Sequence, residues 1–180
     1  MLLSLHGLST RFVSDEGELW PVNGVSFSVA EGETLGLVGE SGSGKSLVAL
    51  SILDLVPSPG QIVAGEVEFE GQDILLLSGA EKRRVRGGEI GMVFQDPAAS
   101  LNPVYRIGDQ IADVMRLHRG LGRAEAWREA AHLLGDLGFQ EPEKKARTYP
   151  FELSGGMRQR AQIAVAVAGR PKLLIADEPT

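Results

Sequence analysis

Eight consecutive residues, Gly39-Glu40-Ser41-Gly42-Ser43-Gly44-Lys45-Ser46, complete the spacing G-x-x-x-x-G-K-[ST]. Glycines in such a run let backbone N–H groups close around phosphate oxygens where side chains would block approach. A short apolar stretch, Thr-Leu-Gly-Leu-Val over residues 34–38, runs into it, and helical spacing follows it. The N-terminus of that helix then faces the same anion. Lys45 supplies a point charge to the terminal phosphates, and Ser46 offers a hydroxyl to Mg²⁺. An ordinary glycine-rich turn is the bland alternative, and it leaves the complete motif in its strand-to-helix setting unexplained.

Two further constellations complement the loop. Leu173-Leu174-Ile175-Ala176-Asp177-Glu178 is an apolar strand ending in two carboxylates. Beside a phosphate loop, the first carboxylate belongs in a Mg²⁺ shell and the second can polarise an attacking water as general base. By itself the pair would equally suit a strand end facing solvent. In Leu153-Ser154-Gly155-Gly156-Met157-Arg158-Gln159-Arg160, a Ser-Gly-Gly run opens a helix. It offers a second anion site made of N–H groups and helix dipole, or simply a serine N-cap followed by glycines. One nucleotide has a single γ-phosphate, so two phosphate-type sites in one chain ask for a second nucleotide.

The elements that must position these residues follow from periodicity. Residues 2–12 and 25–38 have strand-like apolar clustering around the turn Asp15-Glu16-Gly17. Residues 34–38 within them read as a short buried strand. Apolar residues at 47, 48, 50, 52, 53 and 55 predict a mostly buried helix over 45–55, stopped by Pro57-Ser58-Pro59-Gly60. Residues 65–69 alternate as a strand, 81–86 read as a charged helix, and 90–94 as another strand. Residues 96–103 are expected to be loop. Helical spacing then covers Ile107 to Leu117 and Ala126 to Leu137, and a further helix runs over 154–167 before the final strand at 173–176.

Composition narrows the classes. Lys and Arg number 18 against 24 Asp and Glu, a net charge of −6 that argues against a general nucleic-acid binder. The absence of cysteine excludes disulfides, zinc-thiolate sites and thiol nucleophiles, and three scattered histidines make a histidine-rich metal site a poor expectation. No apolar run approaches the ~18 residues of a membrane span. Met1-Leu2-Leu3-Ser4-Leu5 lacks the basic lead and long apolar core of a secretory signal. A soluble, intracellular α/β protein is the expectation.

The order of phosphate loop, Gln95, Leu153-Ser154-Gly155-Gly156-Met157 and Leu173–Glu178 resembles the Walker A, Q-loop, signature and Walker B of ABC transporter ATP-binding subunits. Gln95 and Ser154 are 59 positions apart, too few for the long coiled coil of chromosome-maintenance ATPases. Val56-Pro57-Ser58-Pro59-Gly60, Phe94-Gln95-Asp96-Pro97, Ser100-Leu101-Asn102-Pro103 and Ile107-Gly108-Asp109-Gln110 resemble the dipeptide, oligopeptide and nickel importer branch, with peptide as cargo class. The branch often carries His where Phe151 stands, a departure not expected to alter the chemistry.

The fold implied by the resemblance is α/β: an ABC-type P-loop NTPase core with an antiparallel β layer and a helical insert subdomain, its C-terminal strands absent. The implied division is 1–95 for the β layer and first part of the core, 96–153 for the helical signature subdomain, and 154–180 for the signature helix and Walker B strand. ATP and Mg²⁺ are the implied cofactors. Phe12 resembles the aromatic that stacks on adenine, with Trp20 as rival and simple packing as the alternative for either. Gly39, Glu40, Ser41, Gly42, Ser43, Gly44, Lys45 and Ser46 are expected at the phosphates, and Ser46, Gln95 and Asp177 at Mg²⁺. Glu178, Lys45 and Gln95 form the expected catalytic set. Ser154, Gly155, Gly156 and Met157 are expected to face ATP held by an opposite subunit.

The resemblance also implies partners: a second ABC ATPase subunit, identical or homologous, transmembrane permease subunits, and indirectly a substrate-binding protein, without nucleic acid. The location it implies is peripheral, on the cytoplasmic face of the inner membrane. The family's D-loop and switch histidine are expected beyond Thr180, and no histidine follows His132, so the length reads as a truncation. Such a fragment would be an ATP-binding or interaction module without hydrolysis of its own, with an apolar sheet edge that makes the isolated chain poorly soluble or self-associating. A P-loop kinase or GTPase would need an acceptor site or an Asn/Thr-Lys-x-Asp segment, and no such segment occurs.

Overall fold

Alternating apolar residues near the N-terminus form β1 (Leu3–Ser14), the strand on which the first half of the chain is built. It pairs antiparallel with β2 (Gly17–Val29) on one side and β3 (Gln61–Phe69) on the other, and β4 (Gln72–Asp73) extends the sheet. Leu3 stands opposite Val29 and Phe69, and Leu5 opposite Phe27 and Val67. Leu3, Leu5, Val67 and Phe69 are buried, so the register fixes which face of the sheet carries the core. The computed structural model describes residues 1–15 and 17–178, and the chain divides into two units, 1–82 and 83–180.

The first unit also holds α1 (Lys45–Ile52). A relay of hydroxyls ties it to the sheet: Ser51 Oγ donates to the Leu47 carbonyl at 2.6 Å and pairs with Thr10 Oγ1 of β1 at 2.8 Å. Ser51 and Thr10 are fully buried, which makes this polar link intolerant of losing either partner. Val48, Ile52 and Leu53 complete the attachment of the helix through apolar burial.

Three expectations need correction in this unit. Residues 34–38 were expected as a buried strand, yet they join neither sheet among the described residues and are exposed, with Val38 at 94%. Apolar residues form a strand only where another strand accepts their backbone hydrogen bonds, and the β2 ladder ends at Val29. Helix α1 ends at Ile52 instead of running to residue 55. Leu55 N–H donates to the Leu50 carbonyl at 2.8 Å and Asp54 N–H to Ser51 at 3.0 Å, with Asp54 at φ 50°. That is a Schellman cap with Asp in the left-handed position. Lys82 Nζ holds the Asp54 carboxylate at 2.7 Å and the Leu75 carbonyl at 2.9 Å. The charged helix is α2 (Gly79–Arg84), shifted toward the N-terminus because Ser78 and Glu81 cap it reciprocally.

The second unit is built around β5 (Ile90–Val93), buried at every residue and paired in parallel with β6 (Leu173–Ala176), Ile90 standing opposite Leu173. Between them run α3 (Pro97–Ser100), α4 (Ile107–Arg119), α5 (Arg123–Asp136), α6 (Pro142–Ala146) and α7 (Gly155–Val167). Helix α3 is a single turn inside the segment expected to be loop, with Asp96 Oδ1 accepting from Ala98 N–H at 2.8 Å and Pro97 at its first position. Ile107, Ile111 and Met115 of α4, Ala126, Ala130 and Leu134 of α5, and Ala161 and Ala164 of α7 share one buried core. Alanines on α5 and α7 let the helix axes approach closely. A Cβ on Gly91 of β5 would lie 2.3 Å from the Ala166 carbonyl oxygen, so only glycine permits this strand to lie against α7.

Candidate functional site

The phosphate-loop motif sits in the first unit, exposed over 39–43 and half-buried over 44–46, where it opens α1. Gly44 is the N-cap, at φ 93° and ψ 4°. An added Cβ there would meet the Pro21 carbonyl oxygen of β2 at 2.1 Å. Sterics and backbone conformation both require glycine where the loop turns into the helix. Lys45 Nζ donates to the carbonyls of Gly39 at 2.9 Å and Glu40 at 2.8 Å, so the ammonium bridges the beginning of the loop from its end. Ser43 N–H donates to the Glu40 carbonyl at 3.2 Å, closing the turn between them. Backbone donors at a helix start, an ammonium at the loop and the Ser46 hydroxyl make a donor set suited to a polyphosphate.

The two aromatic candidates lie in the hairpin next to this loop. Phe12 stands opposite Leu19, and its ring packs so closely over Gly60 that a Cβ there would meet Cζ at 2.4 Å. Trp20 is half-exposed with the Arg11 guanidinium 5.7 Å from its ring centroid, and its Nε1 donates to Glu18 Oε2 at 3.3 Å. Each ring therefore has an intramolecular partner.

In the second unit, β5 and β6 end side by side, with Asp177 N–H donating to the Val93 carbonyl at 2.9 Å. Gln95 and Glu178 follow these strand ends, and Gln95 Nε2 donates to Glu178 Oε2 at 2.7 Å. Two residues singled out separately in the sequence thus meet. Within this unit, the Gln95 amide and the Asp177 carboxylate offer oxygens of the hard kind that Mg²⁺ accepts. Among the described residues, no group of three or more His, Cys, Asp or Glu side chains gathers as a separate metal site.

Ser154 caps α7, its Oγ accepting from Met157 N–H at 3.4 Å. The cap expected as the bland alternative is therefore real. It does not account for the two glycines behind it. Gly155 and Gly156 have no positive φ, and a Cβ on either would meet nothing within 4 Å. Neither position demands glycine for its backbone conformation or for lack of space. Their bare, exposed backbone suits close approach by a group from outside the chain. Upstream, Phe151 is 71% exposed and stacks on Tyr149 with ring planes 4° apart.

One residue of this region went unnoticed in the sequence. Gln162, in the middle of α7, is 3% exposed, and its Nε2 donates to the Phe94 carbonyl at 2.8 Å. Its signal was a lone amide within Ala161-Gln162-Ile163-Ala164-Val165-Ala166-Val167, where every neighbour is apolar.

Residues 22–180 match the family described as ABC transporter. The chain belongs to that family. It is 49% identical over 181 residues to a probable peptide ABC transporter ATP-binding protein of Sinorhizobium fredii, covering 100% of this chain and 54% of the relative. It is 45% identical over 179 residues to the dipeptide transport ATP-binding protein of Escherichia coli K12, covering 99% and 55% respectively. The chain thus spans about half the length of the curated relatives it matches. Among solved structures it resembles the dimeric post-hydrolysis state of the ATP-binding cassette MJ0796 bound to ADP and Pi, with a TM-score of 0.87 and 28% identity, over 99% of this chain and 74% of that one. The ABC-type α/β cassette read from the motifs is therefore the fold, and the peptide-transport branch is the one its relatives occupy. No helix among the described residues is long and apolar enough to cross a membrane.

Proposed function

We propose that this chain is the nucleotide-binding part of an ATP-hydrolysing subunit of a peptide importer. Residues 39–46 carry the proposal: 39–43 form an exposed loop that leads into α1, with Lys45 bridging it and Gly44 fixed against Pro21. The loop and Lys45 hold the phosphates, and Phe12 contributes stacking on adenine, as sequence similarity to the family suggests. Ser46, Gln95 and Asp177 hold Mg²⁺, which when bound neutralises charge on the phosphate oxygens. Glu178 orients and deprotonates the attacking water, and the Gln95 amide holds that carboxylate in place. Ser154, Gly155, Gly156 and Met157 contact the nucleotide of a second ATPase subunit, same or homologous, in support of which stands the dimeric state of the cassette MJ0796.

Coupling to transport follows from differential contact. A γ-phosphate touched from both subunits favours the closed pair, and its loss removes the preference. Permease subunits take up this motion at the cytoplasmic membrane face, and a separate binding protein delivers the peptide. Steady-state phosphate release and nucleotide binding, measured side by side on the purified 1–180 chain and on the intact protein with its partners, test the proposal. The intact protein is expected to bind ATP and release phosphate. Binding without release in both would reduce the chain to an ATP-binding module, and no ATP binding in either would end the proposal.

A further inference from the structure

A glutamine at the centre of an otherwise apolar helix segment needs a reason. Strand β5 and α7 run antiparallel to one another, with Gly91 against Ala166 and, further along, Phe94 against Gln162. Three residues of strand advance about 10 Å while four of helix advance about 6 Å, so the two elements fall out of step toward the strand end. The long side chain of Gln162 spans the difference. Its Nε2 reaches the Phe94 carbonyl, one residue before Gln95, while its Oε1 is buried and has no partner. A Met or Leu would fill the same space without burying the unpartnered Oε1, but it would give up the bond to the Phe94 carbonyl. Core packing alone therefore does not explain the amide.

What the amide joins is informative. Helix α7 begins at Gly155 with Ser154 as its cap, and the Phe94 carbonyl begins the segment that carries Gln95 to Glu178. We propose that Gln162 is a positioning residue for catalysis: it fixes the Gln95 segment to the signature helix, so that engagement of α7 by the second nucleotide sets the Gln95–Glu178 pair. The unpartnered Oε1 gives the link a second point of attachment, an acceptor for a backbone N–H when the segment shifts. This rests on the role given above to Gln95.

The test is a double-mutant cycle in the intact ATPase assembled with its membrane partners, using Gln162→Met, Gln95→Ala and the double variant. Gln162→Met is expected to lower kcat about 5–10-fold, the worth of one well-placed neutral hydrogen bond. KM for ATP should change less than about twofold, and Tm should stay within about 4 °C of wild type. In the Gln95→Ala background the same change should cost less than about twofold, because the group being positioned is gone. Gln162→Leu, which also removes the amide, provides the same readout if the Met variant does not fold. Wild-type kcat in both Gln162 variants, or losses that multiply independently of Gln95 with a lowered Tm, would overturn the proposal. A Gln95→Ala variant with wild-type kcat would remove the assigned role of Gln95 and this inference with it. An impaired Gln95→Ala beside an unaffected Gln162→Met would remove this inference alone.

Discussion

Glu178→Gln is expected to leave ATP binding intact and to lower turnover about 10²–10³-fold, the scale of losing one well-placed catalytic group. The geometry makes this substitution a clean one. Gln95 Nε2 donates to Glu178 Oε2 at 2.7 Å, and an amide oxygen in the same place accepts the same bond. The side chain keeps its length and its anchor and loses its negative charge and its capacity to take a proton. Binding is assigned in the proposal to residues 39–46, a different segment of the chain, and so should be spared. ATP affinity by calorimetry and phosphate release in the assembled transporter check both halves. Wild-type hydrolysis in the variant would show that Glu178 is not the base.

Gly44→Ala is expected to have the opposite signature, a loss of binding. A Cβ at this position lies 2.1 Å from the Pro21 carbonyl oxygen and 3.0 Å from its carbon, and φ is 93°. The obstacle is backbone, so no rotamer change relieves it. Either the hairpin moves away from the helix start or residue 44 leaves the left-handed region, which alone is worth about 1–2 kcal/mol for a non-glycine residue. Both responses turn the first N–H groups of α1 away from a common focus. Two charge-assisted hydrogen bonds at about 1.5–3 kcal/mol each make the expected fall in ATP affinity about 10²-fold or more. Titration with a fluorescent nucleotide measures it, and a Kd within about threefold of wild type would refute the assignment of the loop.

Most secondary structure followed from local pattern, and the departures have local causes of a subtler kind. Helix α1 stops at Ile52 because Asp54 takes the left-handed cap, a position usually given to glycine, while Lys82 holds its carboxylate. Helix α2 starts early because Ser78 and Glu81 form a capping box that charge content alone hides. Residues 34–38 have the composition of a buried strand and lie exposed, since a strand is defined by its neighbour as much as by its own residues.

The candidate site divides along the same line. The sequence by itself determined the glycine-rich turn into α1, the acidic strand end and the capped start of α7, because each is a pattern of consecutive residues that needs only its own backbone. Which residues come together across the chain was decided by the tertiary structure. Gln95 meets Glu178 across 83 positions, and Gln162 reaches Phe94 across 68. The first contact depends on parallel pairing of β5 with β6, and the second on Gly91 letting α7 lie directly on β5. Hydrogen bonds of this range form only where packing has already placed both partners, and no spacing rule along the chain encodes that placement.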